Sequence, residues 1–261
     1  MGRPFVVLAA LPEEADAVLR LMHSRPMDAT PPTFRVCRHI HLRDHDPHQR
    51  YPGILAQFEG AGRMYAAVAT AYAITAWDPQ FLLIVGTAGG FESQSVRLGD
   101  IIVATEVFDY EFQRLGEGQP VIRWVKSHPD EGLLKLARKV ASSHAPLLKD
   151  ALGTSPRVRF GPVLSGDKVI ASQDAIERLL SFNNTALGVE MEGAGVAFAA
   201  RQQLRPVPFL MVRGVADYAD ERKHEHSRHW SKAACESVAR FIVVLLKSWA
   251  QQAEEAKADR K

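Results

Sequence analysis

The sequence predicts a three-layer αβα fold built on a mostly parallel, twisted central sheet. Two observations carry this expectation. Short apolar runs at residues 5–11, 81–85 and 209–212 do not alternate with polar residues, as strands covered on both faces require. Helical segments fall between the apolar runs, and strands alternating with helices assemble into a parallel sheet with a helical layer on each side.

Taken in order, residues 5–11 form the first strand, and Pro12 suits the first turn of a helix at 13–22 that turns Ala17, Val18 and Leu19 inward. Glu13 and Glu14 stand at its start, where the helix dipole favours negative charge. Residues 24–32 read as a proline-rich loop. Residues 33–42 read as a strand with Cys37, His39 and His41 on one face, and 43–50 as a polar excursion. A strand at 54–58 ends in Glu59-Gly60-Ala61-Gly62-Arg63, and an alanine-rich helix at 64–76 closes at Trp77-Asp78-Pro79. The strand 81–85 enters a turn, Gly86-Thr87-Ala88-Gly89-Gly90. That turn has neither the Gly-Lys-Ser/Thr ending of a P-loop nor the G-x-G-x-x-G of a dinucleotide fold. Its glycines either let backbone approach a ligand or make a tight corner. Further strands are expected at 101–104 and 158–164, the latter entering Ser165-Gly166-Asp167-Lys168, with helices at 133–140 and 174–180. The apolar run 186–189 stops at Glu190 and Glu192, where small residues open another helical segment. The strand 209–212 leads into Arg213-Gly214-Val215-Ala216-Asp217, followed by a densely charged stretch at 219–230 and a closing helix at 231–250.

No linker or repeat divides the 261 residues, so one domain (1–250) and a polar C-terminal tail (251–261) are expected. A formal net charge of +2 creates no field to draw in nucleic acid or a membrane surface. The first apolar run is followed at once by Glu13 and Glu14, unlike a signal peptide. No stretch approaches the ~18 apolar residues of a membrane span. A cytoplasmic location follows from these features. Cys37 and Cys235 make neither a disulfide framework nor a zinc pattern. Two histidine groups, His39, His41, His45 and His48, and His224, His226 and His229, lack strong metal-ligand spacing. No metal and no cofactor is expected.

Carboxylates at a strand-to-helix junction face a crevice in open α/β sheets. Glu190 and Glu192 therefore either line a ligand site or simply sit at a helix N-terminus. Six pieces now stand in order: Leu11-Pro12-Glu13-Glu14, Val85-Gly86-Thr87-Ala88-Gly89-Gly90, Leu98-Gly99-Asp100, Ser165-Gly166-Asp167, Val189-Glu190-Met191-Glu192-Gly193 and Val212-Arg213-Gly214-Val215-Ala216-Asp217. Together, over residues 5–250, the chain resembles the nucleoside phosphorylase superfamily, in its methylthioadenosine/S-adenosylhomocysteine nucleosidase branch. It is also similar to nucleosidase domains of bacterial defence and signalling effectors.

The resemblance implies a nucleoside phosphorylase-like fold and a set of roles. Asp217 matches the general acid that protonates a departing purine towards N7, the alternative being a charge partner for Arg213. Glu14 matches the residue that orients and deprotonates the attacking water. Glu192 matches the carboxylate on the ribose 2′- and 3′-hydroxyls, and Met191 the side chain against the ribose. Glu190 is either part of that site or structural. Thr87, with Ala88 and Gly89, falls beside the reacting sugar. Val169 stands where the family places an adenine-stacking aromatic, and the backbone of Ile170 where the purine is often bonded. Ala216 replaces a serine usually found before the acid.

Apolar Leu83-Ile84-Val85 precedes the glycine turn, where phosphorylases of the superfamily carry a phosphate-binding arginine. Water is thus the expected nucleophile, with a phosphate-dependent phosphorylase or a non-catalytic nucleoside sensor as alternatives. Arg63, Arg222, Lys223 and His226 are candidates for a charged 5′ group, because a phosphate wants Arg and Lys where a thioether wants apolar contact. The same stretch is otherwise a solvated loop. The expected partner is a small nucleoside or nucleotide, and the resemblance implies a homo-oligomer, dimer or hexamer.

Overall fold

The computed structural model describes residues 4–42, 51–114, 116, 121–122, 125–143 and 155–258. Its elements run β1 (Phe5–Ala9), α1 (Pro12–Leu21), β2 (His23–Pro26), β3 (Phe34–His41), β4 (Gly53–Phe58), α2 (Arg63–Trp77), β5 (Phe81–Gly90), β6 (Ile101–Asp109), β7 (Gln113–Arg114), β8 (Val121–Ile122) and β9 (Val125–Ser127). They continue with α3 (Glu131–Ser143), β10 (Val158–Ser165), α4 (Gln173–Phe182), β11 (Gly188–Glu190), α5 (Gly193–Arg201), β12 (Phe209–Asp217) and α6 (Lys223–Ala258). One sheet orders its strands β11-β10-β6-β12-β5-β1-β4-β3-β2, with β9 on β6, while β7 and β8 pair separately.

The three-layer architecture holds, around a mixed sheet. Parallel pairing joins β4, β1, β5 and β12, and again β6, β10 and β11. Antiparallel pairing enters at β12–β6, at β9, and along the β4-β3-β2 edge. The unbroken apolar runs are explained by burial on both faces. Val7, Ala9, Leu83 and Val85 pack with Val18 of α1, Leu134 of α3 and Val238, Ile242 and Leu245 of α6. Their neighbours Val6, Leu8, Leu82 and Ile84 pack with Ala66, Ala69 and Ala73 of α2 and Val196, Ala197 and Ala200 of α5. Ile176 and Leu179 of α4 close a third cluster around Phe91, Phe108, Tyr110 and Leu164.

Several boundaries differ from expectation, and the causes are tertiary. Residues 86–90 are strand rather than turn, because β11 lies antiparallel against them, with Gly188 opposite Gly90 and Val189 opposite Gly89. A Cβ on Gly188 would stand 2.5 Å from the Gly89 carbonyl oxygen, so these glycines serve close approach of two backbones. With that pairing β5, β12, β6, β10 and β11 close on themselves. Residues 105–109 and 213–217 likewise extend their strands. Residues 23–26, read as part of a loop, form an edge strand on β3. Leu19 is only half-buried, β3 carries a register shift between Phe34 and Val36, and along the expected face Cys37 is buried, His39 half-buried and His41 exposed. The charged stretch from Lys223 and the polar tail to Ala258 both belong to α6. The polar excursion 43–50, with His45 and His48, lies outside the described residues.

Candidate active site

The barrel closure brings the C-terminal ends of β5, β11 and β12 beside the N-terminus of α1. A cavity of about 320 Å³ opens there, lined by Ala10, Leu11, Glu14, Ala61, Thr87, Ala88, Gly89, Lys168, Val169, Ile170, Val189, Glu190, Met191, Glu192, Asp217 and Lys223. Strand β5 forms one wall. A Cβ at Gly86 would meet the Glu14 carboxylate, and one at Gly89 would meet Asp217 Oδ1 at 2.9 Å. Three strand residues separate these points by about 10 Å, the scale of a nucleoside.

Glu14 is buried and held from two sides. Oε2 accepts the backbone N–H groups of Ala10 and Leu11, each at 3.0 Å, which caps α1. Oε1 accepts Thr87 N–H at 2.8 Å and faces Thr87 Oγ1 at 3.3 Å. The side chain is thus at once a helix cap and a carboxylate on the cavity wall. Burial pushes its carboxyl above the ordinary value, against the Arg213 charge and the three backbone donors, which pull it down.

Behind the wall, three carboxylates share one guanidinium. Arg213 on β12 is 1% exposed and pairs with Glu190 and, at 3.2 Å, with Glu192. Its charge also acts on Glu14. Glu190 accepts Glu192 N–H at 3.0 Å and Gly193 N–H at 2.9 Å, so it caps α5 and anchors Arg213. Glu192 Oε1 accepts Gly62 N–H at 2.9 Å from the turn before α2. Burial pushes Glu192 up to about 7; Arg213 lowers it, and Glu190 and Glu14 raise it further. A guanidinium beside several buried acids stays charged: burial opposes it, but Glu190, Glu192 and Glu14 together raise Arg213.

At the other end of the cavity, Asp217 closes β12. Its Oδ1 accepts Ala219 N–H at 2.8 Å, and its Oδ2 accepts Lys223 Nζ at 2.8 Å and Ser227 Oγ at 3.1 Å. Arg213 is committed to Glu190 and Glu192, so the alternative that paired it with Asp217 is overturned.

Residues 4–246 match the family described as the Phosphorylase superfamily. This chain belongs to that superfamily. Among curated superfamily proteins, the 5′-methylthioadenosine/S-adenosylhomocysteine nucleosidase of Maridesulfovibrio salexigens is 31% identical over 199 residues, covering 72% of this chain and 78% of that protein. The nucleosidase of the same name from Desulfotalea psychrophila is 29% identical over 173 residues, covering 63% and 66%. Among solved structures, the Neisseria meningitidis nucleosidase of that name, in complex with methylthio-immucillin-A, superposes with a TM-score of 0.78 at 23% identity, covering 95% of this chain and 100% of the other. Futalosine hydrolase of Helicobacter pylori superposes with a TM-score of 0.77 at 22% identity, covering 94% and 97%. Both solved structures share the superfamily fold.

Within this superfamily fold, Glu14, Thr87, Ala88, Gly89, Val169, Ile170, Glu190, Met191, Glu192 and Asp217 all reach the one cavity. The four candidates for a charged 5′ group do not assemble. Arg63 is taken by Asp167, at 2.8–2.9 Å, and by Asp109, at 2.6 Å. Arg222 is taken by Asp220 at 2.6 Å and Glu92 at 3.3 Å, and His226 lies edge-on to the Tyr218 ring at 5.2 Å. Lys223 alone lines the cavity, on Asp217 rather than on a separate anion site. Sequence reasoning missed the role of Arg213, although an arginine inside an apolar strand already signals buried acidic partners. It also missed Ser227, whose hydroxyl arrives one helical turn after Lys223 and has no sequence marker. Among the described residues no cluster of three His, Cys, Asp or Glu could hold a metal ion.

Proposed function

We propose that this protein hydrolyses the N-glycosidic bond of a purine nucleoside, with adenine as the favoured base and water as the nucleophile. One observation carries the proposal: Glu14, Glu192 and Asp217, far apart in the chain, line the same cavity. Breaking the bond builds positive charge on the sugar and negative charge on the base. Glu192 and Glu14 supply negative charge where the cation develops, and Asp217 serves the departing base. The buried Glu14 carboxylate, with its raised pKa, is suited to take the proton of the attacking water.

Electrostatics favour water over phosphate. A phosphate nucleophile would enter a cavity walled by four carboxylates, while its two lysines are each paired, Lys168 with Glu111 and Lys223 with Asp217. For the 5′ substituent, Leu11, Ala61 and Met191 offer apolar contact. That suits a thioether better than a phosphate, in line with the substrates named for the curated relatives.

The proposal includes a homo-oligomer in the cytoplasm. Helix α2 exposes Met64, Tyr65, Val68 and Tyr72, beside exposed Phe198 of α5, a contiguous apolar surface of the kind that mediates association. Two buried cysteines without a disulfide suit a reducing compartment, and among the described residues no helix is long and apolar enough to cross a membrane. Chromatography of free bases after incubation with methylthioadenosine, S-adenosylhomocysteine, inosine, AMP and ATP, with and without phosphate, tests the proposal. Adenine is expected from the thio-nucleosides without phosphate. Release that requires phosphate, or that occurs from nucleotides alone, would overturn it.

A further inference from the structure

The side chain predicted to act as the acid is surrounded by donors. Asp217 accepts from Ala219 N–H, Lys223 Nζ and Ser227 Oγ at 2.8, 2.8 and 3.1 Å, and among the described residues no hydrogen bond is donated by it. A carboxylic acid that must give up a proton needs an O–H, and of the three groups around Asp217 only the Ser227 hydroxyl can accept one, while Ala219 N–H and the Lys223 ammonium can only donate. A proton for the leaving base stands 2.8 Å from Asp217 Oδ2. Lys223 carries it. The ammonium is the first residue of α6, is mostly buried, and is the one cation of the three donors; it also lines the cavity. Ser227 supplies a hydroxyl to Asp217 from α6 where Ala216 offers none.

We infer that Lys223 and Asp217 act as a proton-donating pair, with Ser227 orienting the carboxylate. This rests on the nucleosidase proposal. As the N-glycosidic bond breaks, its electron pair leaves with the base. One proton moves from Lys223 Nζ through Asp217 Oδ2 to the base nitrogen. Water adds its hydroxyl to the anomeric carbon and its proton goes to Glu14. Solvent then returns a proton to Lys223 and takes one from Glu14, so the cycle closes. The charged start of α6, which reads as a solvated segment, is in this account part of the leaving-group machinery.

The test is leaving-group dependence. Turnover of methylthioadenosine is compared with that of 4-nitrophenyl riboside, whose phenolate departs without a proton, in wild type, Lys223→Met, Lys223→Arg and Asp217→Asn. Lys223→Met is expected to lower kcat on the purine nucleoside by roughly 10²-fold or more while changing the aryl riboside rate by less than about threefold. Lys223→Arg, which keeps the charge and the donor, recovers part of the purine rate. If Lys223→Met keeps the purine rate while Asp217→Asn loses it, the pair is overturned and the nucleosidase proposal stands. Equal losses on both substrates in Lys223→Met would make Lys223 merely structural and also overturn the pair. Full purine turnover in Asp217→Asn would remove the proposal on which the pair rests.

Discussion

At Glu192, burial and charge set opposite pH dependences for stability and for activity. Its folded value, pushed up to about 7, lies above the ordinary 4.5, chiefly because it is buried. A carboxyl whose value rises on folding leaves stability intact below the unfolded value and removes it as pH climbs through the folded one. Between pH 4.5 and 7, wild type is expected to lose roughly 3 kcal/mol relative to Glu192→Gln, readable from urea midpoints. A wild-type curve parallel to the variant's would contradict this. Activity runs the other way. In the proposed reaction the ionised carboxylate stabilises the sugar cation, so kcat/KM should fall on the acid side of about 7, and Glu192→Gln should flatten that limb. Glu14→Gln keeps one oxygen for the Ala10 and Leu11 N–H groups, turns its amide nitrogen towards Thr87 N–H and cannot take a proton, so kcat should drop by about 10²–10⁴-fold. Circular dichroism should show an unchanged fold.

Among the elements, α2 joins two functions through its ends and its outer face. Gly62, at φ +104°, precedes the helix and donates to Glu192, while Arg63 clamps the same turn to Asp109 at the end of β6 and to Asp167 just after β10. Losing that clamp loosens the carboxylate expected on the ribose hydroxyls. Arg63→Met should therefore narrow the preference for a ribonucleoside over its 2′-deoxy analogue; an unchanged ratio would sever Arg63 from Glu192. On the outer face, Val68→Glu places a charge amid Met64, Tyr65 and Tyr72. Sedimentation should show wild type larger than one 28.9 kDa chain and the variant shifted towards it; a monomeric wild type would refute the oligomer. Elements also mark where sequence reasoning succeeds. Strands with unbroken apolar runs, such as 81–85, are readable because burial on both faces writes itself into composition. Residues 86–90 are not, since glycine-rich strand is allowed there only by β11 pairing against it. The start of α6 is hidden for a related reason: its first turns are polar and carry no apolar stripe.

Across the whole molecule, the site is where a closed run of strands meets the N-terminus of α1. The carboxylates Glu14, Glu192 and Asp217 are readable from local motifs in a fixed order, each at a strand end or helix start where ligands are met. Arg213 and Ser227 are not, because each acts on a partner that no motif places beside it. The charges proposed for a 5′ group illustrate the same limit. Sequence counts cations, but only folding shows that Arg63 and Arg222 are already neutralised by acids nearby. The most direct test of the central claim follows the oxygen. The protein is incubated with methylthioadenosine in ¹⁸O-labelled water containing no phosphate, and the products are analysed by mass spectrometry. The account predicts free adenine and one labelled oxygen on the released sugar at C1. A sugar 1-phosphate formed only after phosphate is added, with no labelled sugar without it, would contradict it.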